Sequence, residues 1–209
     1  SWANWRHVFR HGPVDLPRRL VATDDTVYVT LGLNGPITAL DAATGETVRT
    51  YKGTAGAEEI LCEDGTLYAV INPARLKENG EAGLWGEKIA VAIDADTGDI
   101  LWKQREDHLL PLTLAESDGR VFYQDADSVV CRKADSGKLV WTAERPAALE
   151  RPSWSAPTLV VQDDVVLSAD RPADLAKPKG RMAWNAPYRS GATGTMYAFS
   201  AKTGEKLWT

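Results

Sequence analysis

The sequence predicts an all-β fold: a β-propeller made of four antiparallel, four-stranded blades. Three observations predict it. A strand, tight turn and second strand of 11 residues recurs four times along the 209-residue chain. A different hairpin signal stands upstream of each copy. The combined unit returns every few tens of residues, and four strands repeated at about 40 to 50 residues is the signature of a propeller blade.

The repeated stretch is clearest from Ala92 to Trp102 and again from Ala198 to Trp208. A variant runs from Cys131 to Trp141, with Ser136 in place of Thr, and the earliest runs from Ala39 to Arg49, with Arg in place of Trp. Alternating apolar residues such as Ile89, Val91 and Ile93 mark a half-buried strand. In the turn, Asp and Thr side chains can bond nearby backbone, and Gly supplies the positive φ that a tight hairpin needs. The residues expected to seat one blade on the next are Ala92, Gly98 and Trp102, Gly137 and Trp141, and Ala198, Gly204 and Trp208. A blade cannot bury its own faces, so neighbours must stack.

The upstream hairpins cover residues 20–29, 60–69, 113–122 and 159–167. Asp64-Gly65 and Asp118-Gly119, each between apolar strands, are strong hairpin signals. Each blade therefore has strands A to D. The blades are expected at about 20–52, 58–104, 112–143 and 156–209, after a connecting segment at 1–19.

The pattern Ala-x-Asp-x-x-Thr-Gly-x-x-x-Trp resembles the tryptophan-docking motif of the pyrroloquinoline quinone (PQQ)-like propeller repeat, in the quinoprotein alcohol dehydrogenase-like superfamily. The resemblance covers residues 20–209. It implies a ring larger than four blades, about six to eight, with the missing blades or domains elsewhere in a longer protein; a complete four-bladed ring is the alternative. It also implies an extracytoplasmic, periplasmic setting.

Composition narrows the function classes. Apolar residues make up 44% and charged residues 25%, as in ordinary globular domains. Net charge is −5, which does not point to a nucleic-acid partner. No run is long enough for a transmembrane helix. Residues 1–19 carry Arg6, Arg10, Arg18 and Arg19 with no apolar run after them, so an intact signal peptide is not expected. The chain begins at Ser1 and ends one residue after Trp208, and is expected to be part of something longer.

Metal and catalytic signals are thin. His7 and His11 are four apart, but nothing nearby completes a site and Pro13 and Pro17 oppose a helix. Asp125 and Asp127 read as a turn, because a calcium loop needs more oxygens at fixed spacing. His108 stands in an inter-blade connection with no evident partner, and Cys62 and Cys131 read as strand cysteines with no disulfide between them. Arg49 is expected to weaken the first blade junction.

The informative departures are two long B–C connections. From Asp64 to Gly98 the chain runs 34 positions and from Asp163 to Gly204 it runs 41, against 19 from Asp118 to Gly137. The excess falls at 72–87, with a helical turn expected near residues 74–78, and at 171–194. All B–C loops of a propeller leave on one face, and long loops on a rigid scaffold are where binding concentrates. The expected ligand or partner face therefore centres on Trp85, Arg181, Trp184, Tyr188 and Arg189. Aromatic rings with Arg suit a protein, a sugar or an acidic group.

Two function classes follow. The first is a non-catalytic binding or assembly scaffold. The alternative is a fragment of a PQQ-dependent dehydrogenase, which the resemblance would supply with PQQ, Ca²⁺ and a disulfide between adjacent cysteines. The chain has no adjacent cysteines and no matching calcium set. Its degraded motif copies favour the scaffold.

Overall fold

The structure, a computed structural model, describes residues 18–32, 34–76, 86–147, 157–171 and 194–209. Those residues form four antiparallel sheets of four strands each. Blade one is β1 (Leu20–Ala22), β2 (Thr26–Thr30), β3 (Ile37–Asp41) and β4 (Thr47–Thr50). Blade two is β5 (Ala57–Glu63), β6 (Thr66–Ile71), β7 (Glu87–Asp94) and β8 (Ile100–Asp107). Blade three is β9 (Ala115–Ser117), β10 (Arg120–Gln124), β11 (Ser128–Lys133) and β12 (Leu139–Glu144). Blade four is β13 (Thr158–Gln162), β14 (Val165–Asp170), β15 (Thr195–Ser200) and β16 (Lys206–Trp208). In each sheet the strands lie in sequence order. The first strands neighbour one another, β1 on β5, β5 on β9 and β9 on β13, so they form the inner edge of an arc.

One register row crosses every blade. It reads Val21, Tyr28, Ala39 and Arg49 in blade one, and Leu61, Tyr68, Ala92 and Trp102 in blade two. It continues as Ala115, Phe122, Cys131 and Trp141, then Val160, Leu167, Ala198 and Trp208. A small residue thus faces the large one across each C–D pair. A β-bulge follows at once, between Ala39 and Leu40, Ala92 and Ile93, Cys131 and Arg132, and Ala198 and Phe199. The bulge sharpens the twist and re-aims the strand end.

In the first three blades this row packs on the next blade. Three inter-blade cores result: Tyr28 and Ala39 against Leu67 and Ile93, Tyr68 and Trp102 against Val121 and Val130, and Phe122 and Trp141 against Val166 and Phe199. The indole N–H of Trp102 donates to the carbonyl of Ala134 at 2.7 Å, and that of Trp141 to Ala201 at 3.0 Å. The same two alanines donate their own N–H groups to the A–B turns of their blades, at Gly119 and Asp164. One peptide therefore ties a blade's two turns together and receives the preceding blade.

The ring lies flat on the turn glycine. A Cβ on Gly137 would sit 2.7 Å from Trp102, and one on Gly204 would sit 2.7 Å from Trp141. Both glycines also have positive φ, 66° and 74°. Indole burial of about 150–250 Å² is worth several kcal/mol.

Blade one solves the junction differently. Arg49 donates to the carbonyl of Thr97 at 2.8 Å, with its Cδ 3.5 Å from where a Gly98 Cβ would stand. The hydrogen bond to the equivalent alanine comes from Tyr51, whose hydroxyl donates to Ala95 at 2.6 Å. Tyr51 is 1% exposed, and burial pushes its phenol up to about 12, so it remains a donor at neutral pH. Sequence reading anticipated a weakened junction at Arg49; two residues share the work that one Trp does elsewhere.

The smaller elements have local causes. Asp125 accepts the N–H groups of Asp127 and Ser128 at 2.8 and 2.7 Å, closing a tight turn. The long blade-two connection opens with a 3-10 turn at Pro73–Leu76. Both cysteines are free, Cys131 buried in the core of blades three and four and Cys62 half-buried on the inner edge.

Trp102→Ala is expected to lower unfolding free energy by about 3–5 kcal/mol; a loss under about 1 kcal/mol in a denaturant titration would contradict the junction. Gly137→Ala should cost clearly more than Gly45→Ala. Both have positive φ, but only the first has an indole against it. Equal shifts in melting temperature would mean that backbone strain alone decides the position.

Candidate functional site

Strand direction divides the arc into two faces. One carries the A–B and C–D turns. The other holds the B–C loops and the D–A connections, where β5 and β7 begin and β6 and β8 end. The sequence-derived candidates Trp85, Arg181, Trp184, Tyr188 and Arg189 belong to loops of the second face and lie outside the described residues, as do His7 and His11. Among the described residues, the strand ends from which those connections leave carry charged and largely buried side chains.

In blade two a β-bulge between Ala57 and Glu59 leaves Glu58 as the extra residue. The bulge turns its carboxylate toward the loop root. One oxygen accepts from Asn72 Nδ2 and from Arg75 Nε, both at 2.8 Å. The other faces Lys88 Nζ at 2.9 Å. All three charged side chains are under 9% exposed. Burial pushes the Glu58 carboxyl up, but Lys88, Asn72 and Arg75 outweigh it and hold it below the usual carboxylate range.

Glu59, the next residue, points to the blade two–three junction. Its Oε2 accepts the N–H of Leu114 at 3.0 Å and lies 3.8 Å from Arg18 Nη2. The same guanidinium donates to the Leu114 carbonyl at 2.6 Å. The backbone of Arg18 pairs in parallel with β5 through Glu58 and Ile60. Arg18 thus lies along blade two and reaches blade three. Among the described residues, Glu59 Oε1 has no hydrogen-bond partner. Burial raises this carboxyl to about 7, against the pull of Arg18 and the Leu114 amide.

Two more polar clasps join neighbouring blades. Glu106 on β8 accepts from Tyr123 and, at 2.7 Å, from Arg132 Nη2, joining blade two to blade three. Between blades three and four, Ser168 donates to Gln124 at 2.8 Å, and Arg145 donates to Ser168 at 3.3 Å and to the Thr195 carbonyl at 3.0 Å. The Arg145 guanidinium also lies 4.3 Å from the Tyr197 ring centre. The inner strands enclose an open groove of about 290 Å³, lined by Arg18, Leu61, Glu63, Leu114, Glu116 and Val160.

Sequence reading did not single out Glu58, Glu59, Lys88 or Arg145. A local signal existed: Lys88 precedes Ala90 and Ala92 in the buried phase of a strand, where an apolar residue is the default. The bulge that re-aims Glu58 left no such mark.

These residues do not fit a calcium-held quinone. Calcium takes about six to eight oxygens, whereas Glu58 is flanked by two cations and Glu59 stands beside a third. Among the described residues, no group of three or more His, Cys, Asp or Glu is placed to hold a metal. The arrangement does suit blade-to-blade clamping.

Glu59 carries a pH dependence. Its carboxyl ionises near the ordinary carboxylate range when unfolded and only near pH 7 when folded, so its contribution is full below about pH 4.5 and lost as pH rises to about 7. The span corresponds to about 3 kcal/mol. Glu59→Gln is expected to flatten that fall in denaturant midpoints between pH 5 and 8, estimated from the same linkage. An unchanged slope would mean that Glu59 ionises normally.

Comparison with known proteins places the chain. The family model described as "Outer membrane protein assembly factor BamB" matches residues 3–107 and 86–209. No curated protein matches in a direct sequence comparison. Among solved structures, the computationally designed Ika4 protein is similar at 15% identity and a TM-score of 0.54, over 88% of this chain and 92% of that one. BamB from Moraxella catarrhalis is similar at 18% identity and a TM-score of 0.51, over 90% of this chain and 46% of that one. A quinohemoprotein alcohol dehydrogenase, ADHIIG, from Pseudomonas putida HK5 is similar at 17% identity and a TM-score of 0.55, over 92% of this chain and 33% of that one. The chain thus spans nearly all of the designed protein but less than half of either natural one. At these identities the likenesses establish the fold alone, and the family match over both halves establishes that the chain belongs to the BamB-type, PQQ-like β-propeller repeat family.

Proposed function

We propose that the chain is a non-catalytic scaffold: a PQQ-like propeller module that binds or assembles partners within a larger extracytoplasmic bacterial protein. One observation carries this reading. Three ion pairs at the loop root and the blade junctions are satisfied within the chain, Glu58 with Arg75 and with Lys88, and Glu106 with Arg132. Groups so paired hold blades and loop roots in place; they are not poised to transfer protons or bind a metal. The family description, which names an outer-membrane protein assembly factor, supports the same reading and the periplasmic setting.

Partner contact falls to the two long B–C connections, with Trp85, Arg181, Trp184, Tyr188 and Arg189 as the residues to test first. Their chemistry suits a protein, sugar or acidic ligand. The ring is completed by further blades.

The reading is tested by titrating the chain, and any longer protein that contains it, with PQQ and Ca²⁺. Absorbance and dye-linked oxidation of alcohols and sugars are followed. No binding and no turnover are expected at high micromolar cofactor. Stoichiometric binding with turnover would make the protein an oxidoreductase and overturn the proposal.

A further inference from the structure

Residues 108–114 join β8 to β9, and two of them, His108 and Leu112, have left-handed backbone, with φ of 57° and 58°. A bulky residue stays in that region only where its surroundings hold it there. Blade three holds part of the connection. Leu110 donates to the Gln124 carbonyl at 2.8 Å. The Thr113 hydroxyl donates to the Leu110 carbonyl at 2.8 Å and accepts the Gln124 N–H at 3.1 Å. Blade two holds the rest. His108 donates to the Gly86 carbonyl at 3.1 Å, and Glu59 Oε2 accepts the Leu114 N–H at 3.0 Å. The Leu112 amide acts on the same carboxyl. Glu59 thus grips the connection at its left-handed residue and two positions beyond.

That grip depends on a group that can lose its charge. Glu59 is 1% exposed, and among the described residues its Oε1 has no hydrogen-bond partner. Its charged neighbours come from three elements. Arg18, just before β1, lies 3.8 Å away, and Lys88 acts from β7. Glu58, on its own strand, is itself paired with Arg75 and Lys88. The connection contributes amides, and its one ionisable side chain is His108. An amide hydrogen bond to a carboxylate is roughly twice as strong as one to a neutral carboxyl.

We propose that Glu59 is a proton-operated latch on the connection between blades two and three. Ionised, it draws in the Leu112 and Leu114 amides and keeps Leu112 left-handed. Protonated, it loosens its hold, and Leu112 relaxes toward the extended backbone that ordinary residues prefer. The proton acts in opposite senses on two levels. Charging a buried carboxyl costs the fold as a whole, whereas the charge tightens the hydrogen bonds that order the connection. Burial raises the carboxyl to about 7, so both forms are populated near neutrality. The latch rests on the junction geometry alone, so it stands or falls separately from the scaffold reading.

An NMR titration of the 209-residue chain between about pH 5 and 8 tests it. The Leu112 and Leu114 amide protons are expected to move downfield together as pH rises, with one midpoint near 7. The Leu112 Cα resonance should move toward its extended-backbone value as pH falls. Glu59→Gln should abolish both movements, and His108→Gln should leave them unchanged. Leu112→Gly should make hydrogen-exchange protection of the connection independent of Glu59 ionisation, because glycine takes left-handed backbone without help. Leu112→Ala, which also removes the side chain but keeps the strain, should not. Amide resonances that stay fixed, that follow His108, or that still titrate in Glu59→Gln would overturn the latch. A Leu112 Cα resonance that stays fixed while the amides titrate would overturn the relaxation and the proposal with it. The wild-type titration decides between these outcomes even where a variant fails to fold.

Discussion

An indole lying on a glycine turn, with its N–H given to a neighbouring alanine carbonyl, is the contact on which the arc depends. Each blade is a twisted sheet with two apolar faces and no core of its own. The Trp row of one blade and the turn of the next supply the surface that each lacks. The alanine peptide is the link: its carbonyl takes the preceding indole, and its N–H is bonded to its own blade's other turn. A blade therefore receives its neighbour through backbone that its own hairpins already hold rigid. That explains why a small residue and a glycine recur at fixed distances from the Trp.

The loop face follows a different rule. Charged side chains are almost never buried without partners, because desolvation costs more than a surface ion pair returns. Here Glu58, Lys88 and Arg75 are buried together at the root of a long loop. Burial removes them from screening and raises the cost of losing any one of them. The clasps at Glu106, Arg132 and Tyr123, and at Arg145, Ser168 and Gln124, repeat the theme between blades. The turn face is held by nonpolar stacking and by the side-chain donors Arg49, Tyr51, Trp102 and Trp141 on backbone carbonyls, and the loop root by ion pairs.

Much of the fold was legible because it is local and repeated. Period-two strands, Asp-Gly hairpins and the Thr-Gly-x-x-x-Trp spacing are each written within about a dozen residues, and four copies reinforce one another. Tyr51 was not legible as a junction residue. It stands two positions past the motif, and its role appears only when Ala95 of another blade is brought to its hydroxyl. Nor were Glu58 and Glu59. Adjacent strand residues ordinarily point to opposite faces, and only the bulge and the parallel pairing of Arg18 decide where each carboxyl goes.

By itself, the sequence determined the blade: its four strands, its turns, its order and the family to which it belongs. These follow from backbone propensities and side-chain periods that act over a few residues. The tertiary structure alone decided which groups meet across blades. It set Glu59 against Leu114 and Arg18, and Arg145 against Ser168. Those pairings join residues tens of positions apart, and their physical terms, burial and charge–charge distance, exist only once the blades are stacked.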